Sequence, residues 1–448
     1  MKDSDLYKSL SQELAKISLV DAHNHLPKEE TWLAAKDDFT TLLGYASTDL
    51  VNAGMPLDAL PQAVDPRMKA SYGYEVKNTK SSAEKWEIIK QYWPYVRNIG
   101  SADVTRVTLK MLFDCDDFDD ANIAKIEDEM KTYKKPGAYN KLIREKSNIH
   151  TVCNVAMTME EAPATEILAP QLYTDTYAAI QKRKDIYLLE QQSGEDIYSL
   201  ETYVKALDIV IDQAVKEGLV GFKWHIFPYL RRPDFEIDDP FAAAKCLDRI
   251  FKLPARGGAG SDVAVGVGEM LPFHNYIQNH IVQRAIELDI PVQIHTGTLG
   301  LCYGGPINNG DPSILMDLFI RYPQARFNVL HTGFPYTRVM GAIAHIFPNV
   351  YINASWLDIL SPQSYKQFMK DWLTGIPWNK IIAYGADQFS VFLLPACAQR
   401  VRNLLAEALA ELVAEGYMTE EDAVFAADCV LRKNAMDHWQ LNKRNIPK

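Results

Sequence analysis

The chain has 448 residues, 47% hydrophobic and 23% charged, which is enough apolar material for a large core. Its formal net charge of −11 argues against nucleic acid as the main partner and against adhesion to a membrane surface. The six cysteines (Cys115, Cys153, Cys246, Cys302, Cys397, Cys429) are scattered without a CxxC pair, which disfavours a disulfide framework or structural zinc site and fits a reducing cytoplasm.

Segment 1–15 is polar and reads as a short helix without the apolar stretch of a signal peptide. No window approaches the roughly 18 uninterrupted apolar residues of a membrane span. The first predicted strand, Ile17–Ala22, runs into Asp21-Ala22-His23-Asn24-His25. Side chains of an extended strand alternate with period two, so His23 and His25 face the same side and can grip one divalent ion. Residues 30–147 are rich in Trp, Tyr, Lys and Asp, with helical spacing over Ser81–Asn98 and Asn122–Tyr133; they read as a helical cap inserted after strand one. The further predicted strands are Asn148–Asn154, Asp185–Glu190, Leu219–Trp224, Ile290–His295, Arg326–His331, Asn349–Asn353 and Ile381–Asp387. Helix-period segments such as Leu200–Glu217, His274–Leu288 and Ser313–Arg321 alternate with them. Thr419, with an acidic first turn after it, opens a last helix with an apolar stripe at Ala423, Ala426, Ala427 and Val430. Eight alternating strand–helix units predict an α/β fold, a (β/α)8 TIM barrel forming one domain over 1–448 with the cap at 30–147.

Chemically capable residues end the predicted strands: His23 and His25 at strand one, Lys223 at four, His295 at five, His331 at six and Asp387 at eight. Imidazole nitrogen and carboxylate oxygen are ligands for zinc and similar ions, and such an ion brings bound water to a pKa near 7. Asp387 is suited both to bind the ion and to move a proton. His225, Tyr229, Arg231 and Arg232 follow strand four, Tyr336 and Arg338 follow six, and Trp356 follows seven. These are the candidate substrate contacts, an arginine holding a carboxylate by a two-pronged hydrogen bond. His150, His274, His280, His345 and His438 fall outside the pattern and read as packing or surface residues. The Gly-rich pieces 257–268 and 297–305 lack the order of a phosphate loop; the second suits close backbone approach or a lid.

The set VDAHNHL (20–26), VGFKW (220–224), VQIHTG (292–297), VLHTGFPYTR (329–338), NVYINASW (349–356) and YGADQF (384–389) resembles the amidohydrolase superfamily, in its "amidohydrolase 2" branch of TIM-barrel metal-dependent hydrolases. It is similar to the amidohydrolase half of nodulin/FluG-like proteins. The resemblance implies that His23, His25 and Asp387 are metal ligands with His295 a fourth, and that His331 is a ligand of a second ion or a base that polarises substrate. It leaves Lys223 either carboxylated and bridging two ions or free to touch substrate. The implied cofactor is one or two divalent ions, zinc first, with Mn, Fe or Co open. The implied activity is hydrolysis of a C–N, amide-type bond in a small anionic substrate, with a γ-glutamyl-type amide as an analogy. Non-oxidative decarboxylation and a non-catalytic metal-binding scaffold remain as alternatives, with a uronate-type isomerisation further off. The sequence leaves a homo-oligomer open.

Overall fold

The computed structural model describes residues 4–57, 59–60, 63, 80–225, 234–236, 238–253, 263–302, 304–444 and 446. Eight strands form one sheet in chain order: β1 (Leu19–Asn24), β2 (Ile149–Ala156), β3 (Leu168–Tyr173), β4 (Gly221–Trp224), β5 (Val292–His295), β6 (Phe327–Leu330), β7 (Val350–Asn353) and β8 (Ile381–Ile382). Helices separate all of them except β2 and β3, which a loop joins, in the (β/α)8 barrel. The strands are short, and β1, β3, β4, β5, β6 and β8 are buried at every position, as parallel strands covered on both faces are. No helix among the described residues is long and apolar enough to cross a membrane. All six cysteines are buried thiols without disulfides.

The chain divides into two compact units. The first contains residues 1–152, 298–305 and 354–433. In it the Ala22 N–H donates to the Tyr384 carbonyl (3.1 Å) and the Asp387 N–H to the His23 carbonyl (2.9 Å), tying β1 to the chain that follows β8. At the other end of β1, the Arg402 guanidinium donates to the carbonyls of Ile17 (2.9 Å), Ser147 (3.0 Å) and Asn148 (3.1 Å). Arg402 stands on the helix Leu394–Ala414, which packs against the helices Asp5–Lys16, Gly100–Phe113 and Pro362–Gly375. Between β1 and β2 lie the helices Ser82–Val96, Gly100–Phe113 and Ile123–Tyr133; the first opens on a reciprocal Ser81/Glu84 capping box.

The second unit contains residues 153–297, 306–353 and 434–448. Here β3 to β7 pair in parallel, with Tyr173 level with Lys223 and Lys223 level with Gln293. Four buried amides cross this sheet. Trp439 Nε1 donates to Gln171 Oε1 (3.0 Å), Gln171 Nε2 to Gln293 Oε1 (3.3 Å) and Gln293 Nε2 to Asn328 Oδ1 (3.1 Å). Asn353 Nδ2 donates to the same Asn328 oxygen from the other side (2.9 Å).

Two expectations are corrected. The third strand is Leu168–Tyr173, and Asp185–Glu190 belongs to the helix Arg183–Ser193. Asp185 accepts from the N–H groups of Gln181 and Lys182, both at 2.8 Å, and so caps that helix, while Ile186 and Leu189 bury one face at helical spacing. The eighth strand ends at Ile382, so Asp387 stands on the segment beyond it.

Candidate metal centre

In the first unit His23, His25 and Asp387 meet. His23 Nε2 and His25 Nε2 each lie 3.3 Å from Asp387 Oδ1, and one ligand atom from each of the three lies within 4.8 Å of the others. His23 is 1% and Asp387 4% exposed, whereas about a quarter of the His25 side chain is open. Two imidazole nitrogens and a carboxylate oxygen converging on one point, largely out of water, fit a divalent ion of the zinc type. Among the described residues this is the group of His, Cys, Asp and Glu that gathers in threes.

The frame behind these three side chains is polar and buried. Asp21 accepts from the Ala386 N–H (2.9 Å) and from Asn24 Nδ2 (2.7 Å), while Asn24 Oδ1 accepts from the Gln388 N–H (2.8 Å) and the His25 N–H (3.0 Å). Burial lifts the Asp21 carboxyl to about 7 against these donors. Gly385 makes room: a Cβ there would sit 2.0 Å from Ser355 Oγ and 2.9 Å from the His23 nitrogen. Asp387 itself has a left-handed φ of 52°. The described chain holds eight non-glycine residues with positive φ, and four of them (His331, Thr332, Trp356, Asp387) lie on the segments that leave β6, β7 and β8. Backbone strain of this kind persists where the surroundings enforce it, and it gathers at functional sites.

Tyr45 was not singled out by sequence. Burial first, then the nearby Asp387 charge, hold its pKa well above the ordinary value. Its ring lies 4.8 Å from that of Trp356 and 6.3 Å from that of Phe389, which stacks on His25 at 5.2 Å. The Gly-rich piece after β5 approaches this tyrosine: a Cβ on Gly300 would lie 2.3 Å from its Cε1. Nothing in the sequence marks Tyr45 for this place, because its contacts with the centre come from residues distant in sequence.

In the second unit His295 and His331 share a hydrogen bond, His331 Nε2 to His295 Nδ1 at 3.0 Å, so one ring donates and the other accepts. The His225 ring sits edge-on to His295, with centroids 4.7 Å apart. Tyr173, at the end of the strand missed by sequence, places its hydroxyl 3.2 Å from His225 Nδ1, and the His225 N–H donates to Asp175 (2.7 Å). Lys223 is fully buried on β4, where its carbonyl accepts from the Thr174 N–H (3.0 Å). Tyr336 precedes the helix Thr337–Ile346 and Arg338 is exposed in its first turn. Tyr229, Arg231 and Arg232 lie outside the described residues. His274 and His438 are buried packing residues, and His280 pairs with Asp208 at 2.8 Å.

A family model described as Amidohydrolase matches residues 232–390. Protein fluG of Emericella nidulans is 23% identical over 266 residues, which is 56% of this chain and 30% of that protein. The chain thus spans under a third of this curated relative. A uronate isomerase from Thermotoga maritima shares the fold at TM-score 0.72 and 16% identity, covering 97% of both chains. A glucuronate isomerase from Caulobacter crescentus does so at 0.71 and 16%, covering 98% of this chain and 95% of its own. A candidate metal-dependent hydrolase from Lactobacillus casei follows at 0.65 and 15%, covering 97% and 98%. At these identities the three solved structures speak for the fold alone. Over the matched segment this chain is thus similar to the Amidohydrolase family, and its barrel is shared with the solved structures.

Proposed function

We propose that this chain is a metal-dependent hydrolase that cleaves a C–N, amide-type bond of a small carboxylate-bearing substrate. The observation that carries the reading is the convergence of His23, His25 and Asp387. These three would hold the ion, with His295 a fourth ligand. A bound divalent ion supplies an activated water and polarises a carbonyl. Asp387 takes the proton of the attacking water and returns it to the leaving nitrogen, with Tyr45 close beside its carboxylate. His331 polarises the scissile carbonyl. Lys223 would either be carboxylated and help to hold a second ion or touch substrate. Tyr229, Arg231, Tyr336, Arg338, Trp356 and His225 are the proposed substrate contacts, and the cytoplasm the proposed location.

The test is elemental analysis of the purified chain together with a panel of small N-acyl and γ-glutamyl amides. We expect one or two equivalents of zinc, manganese, iron or cobalt. His23→Ala and Asp387→Asn each lose the ion, and with it at least about 100-fold in turnover. Metal-replete chain inert towards every amide would overturn the hydrolase reading. A second reading, isomerisation of a uronic acid, rests on the near-complete overlay with the two uronate isomerases. Turnover of glucuronate with no amide cleavage would favour it, and carbon dioxide release from hydroxybenzoates would favour a decarboxylase.

A further inference from the structure

The first unit contains a cavity of about 310 Å³ that touches the metal centre through Tyr45 and Phe389. Its rim carries Lys36, the first of three consecutive charges, Lys36-Asp37-Asp38. The two acids are neutralised from elsewhere: Asp37 pairs with Lys134 at 2.7 Å, and Asp38 contacts the buried Lys85. Asp38 also accepts from the Thr40 N–H (2.9 Å). Lys36 is exposed and has no ion-pair partner among the described residues. The cavity therefore presents one uncompensated charge, and it is positive.

The remaining walls divide into a platform and a donor. Phe389 shows 57% of its surface although it is stacked on His25, and Leu301 and Leu393 extend the apolar wall. Ser390 is only 4% exposed, and its hydroxyl has no hydrogen-bond partner among the described residues. A buried hydroxyl without a partner loses its share of hydration for nothing unless a ligand restores it. The neighbouring polar groups do not serve: the Ser47 hydroxyl is spent on the Gly44 carbonyl (2.7 Å), and the Thr40 hydroxyl on Asp38.

We propose that this cavity binds the part of the substrate remote from the scissile bond, and that it selects an aryl-carboxylate: a flat apolar body lies on Phe389, Ser390 hydrogen-bonds it, and Lys36 pairs with its carboxylate. The inference rests on the metal-centre reading and assigns the anionic specificity of that site to Lys36. An apolar face next to a single unneutralised amine favours such a molecule over a sugar, which would need many hydrogen bonds, and over a cation, which Lys36 would repel.

The test is tryptophan fluorescence of the intact chain, metal-free and zinc-loaded, titrated with phenylacetate and with its neutral counterpart phenylacetamide. Trp356, ring to ring with Tyr45, is the reporter. We expect phenylacetate to bind about tenfold tighter than phenylacetamide. Lys36→Gln abolishes that preference and Lys36→Arg retains it. Phe389→Ala weakens both probes alike by about tenfold. No saturable phenylacetate binding, or a preference unchanged in Lys36→Gln, would overturn the assignment. Zinc content measured in the same samples separates this inference from the functional reading. A chain that holds no ion yet shows the Lys36-dependent preference loses the hydrolase reading and keeps the subsite; a chain that holds zinc without the preference loses the subsite alone.

Discussion

His23 and His25 share a strand face by the alternation of side chains, but alternation alone does not bring Asp387 to them. That depends on Gly385, whose missing Cβ lets the chain after β8 lie against Ser355 and the His23 backbone. Gly385→Ala should therefore push this segment away and, on the proposed metal-centre reading, weaken divalent-ion binding at least about tenfold while leaving the chain folded. Competition with a chromophoric chelator and circular dichroism would check both halves, and zinc affinity equal to the parent's would refute the packing argument. The coming together of His23, His25 and Asp387 was legible in the sequence because histidine and aspartate announce their chemistry by type. Tyr45 and Phe389 were not, since an aromatic residue in a loop looks the same whether it packs a core or faces a ligand. The His295–His331 hydrogen bond was equally invisible: the sequence places both at strand ends but not their ring nitrogens at 3.0 Å.

Most of the barrel was readable from short Val- and Ile-rich runs separated by helical spacing, and the third strand shows why the reading failed once. Leu168–Tyr173 contains Pro170, which weakens any strand reading, while Asp185–Glu190 is a short apolar run that suits either element. Helix capping by Asp185 decided it, and that acid was counted as part of a strand. The Thr419 reading held because a complete capping box marks it: Thr419 and Asp422 bond each other's backbone N–H. The fastening of β1 to β2 was not readable, since it runs through a helix near the other end of the chain. Arg402 covers three carbonyls at the start of these strands, so Arg402→Met should cost roughly 3 kcal/mol, measured as a lower urea midpoint at unchanged slope. A loss within experimental error would mean that water satisfies those carbonyls equally well.

Across the whole molecule, buried titratable groups set two opposing pH dependences. Burial lowers His274 to about 4 and His438 to about 3, so between these values and 6.5 the unfolded chain binds the extra protons and stability rises with pH. Burial raises Asp358 to about 7, so between 3.8 and 7 the folded chain binds the extra proton and stability falls as pH rises. The contributions oppose each other in mildly acidic solution, and single variants should separate them. His438→Leu should gain about 2 kcal/mol relative to the parent on going from pH 7 to pH 5, because it no longer carries a base that the fold forbids to protonate. Asp358→Asn should move the opposite way over the same interval. Denaturant titrations at the two pH values check both, and shifts of the same sign would refute the burial argument. The row of amides crossing the second unit has a different consequence. An indole N–H only donates, so Trp439 obliges Gln171 to show it oxygen, and Gln171 must then turn its NH2 to Gln293, and Gln293 its own to Asn328. Asn353 donates to the same oxygen from the far side and closes the row. One donor-only side chain, 268 positions downstream of the glutamine it touches, thereby gives the interior a compass direction that no single amide could choose for itself.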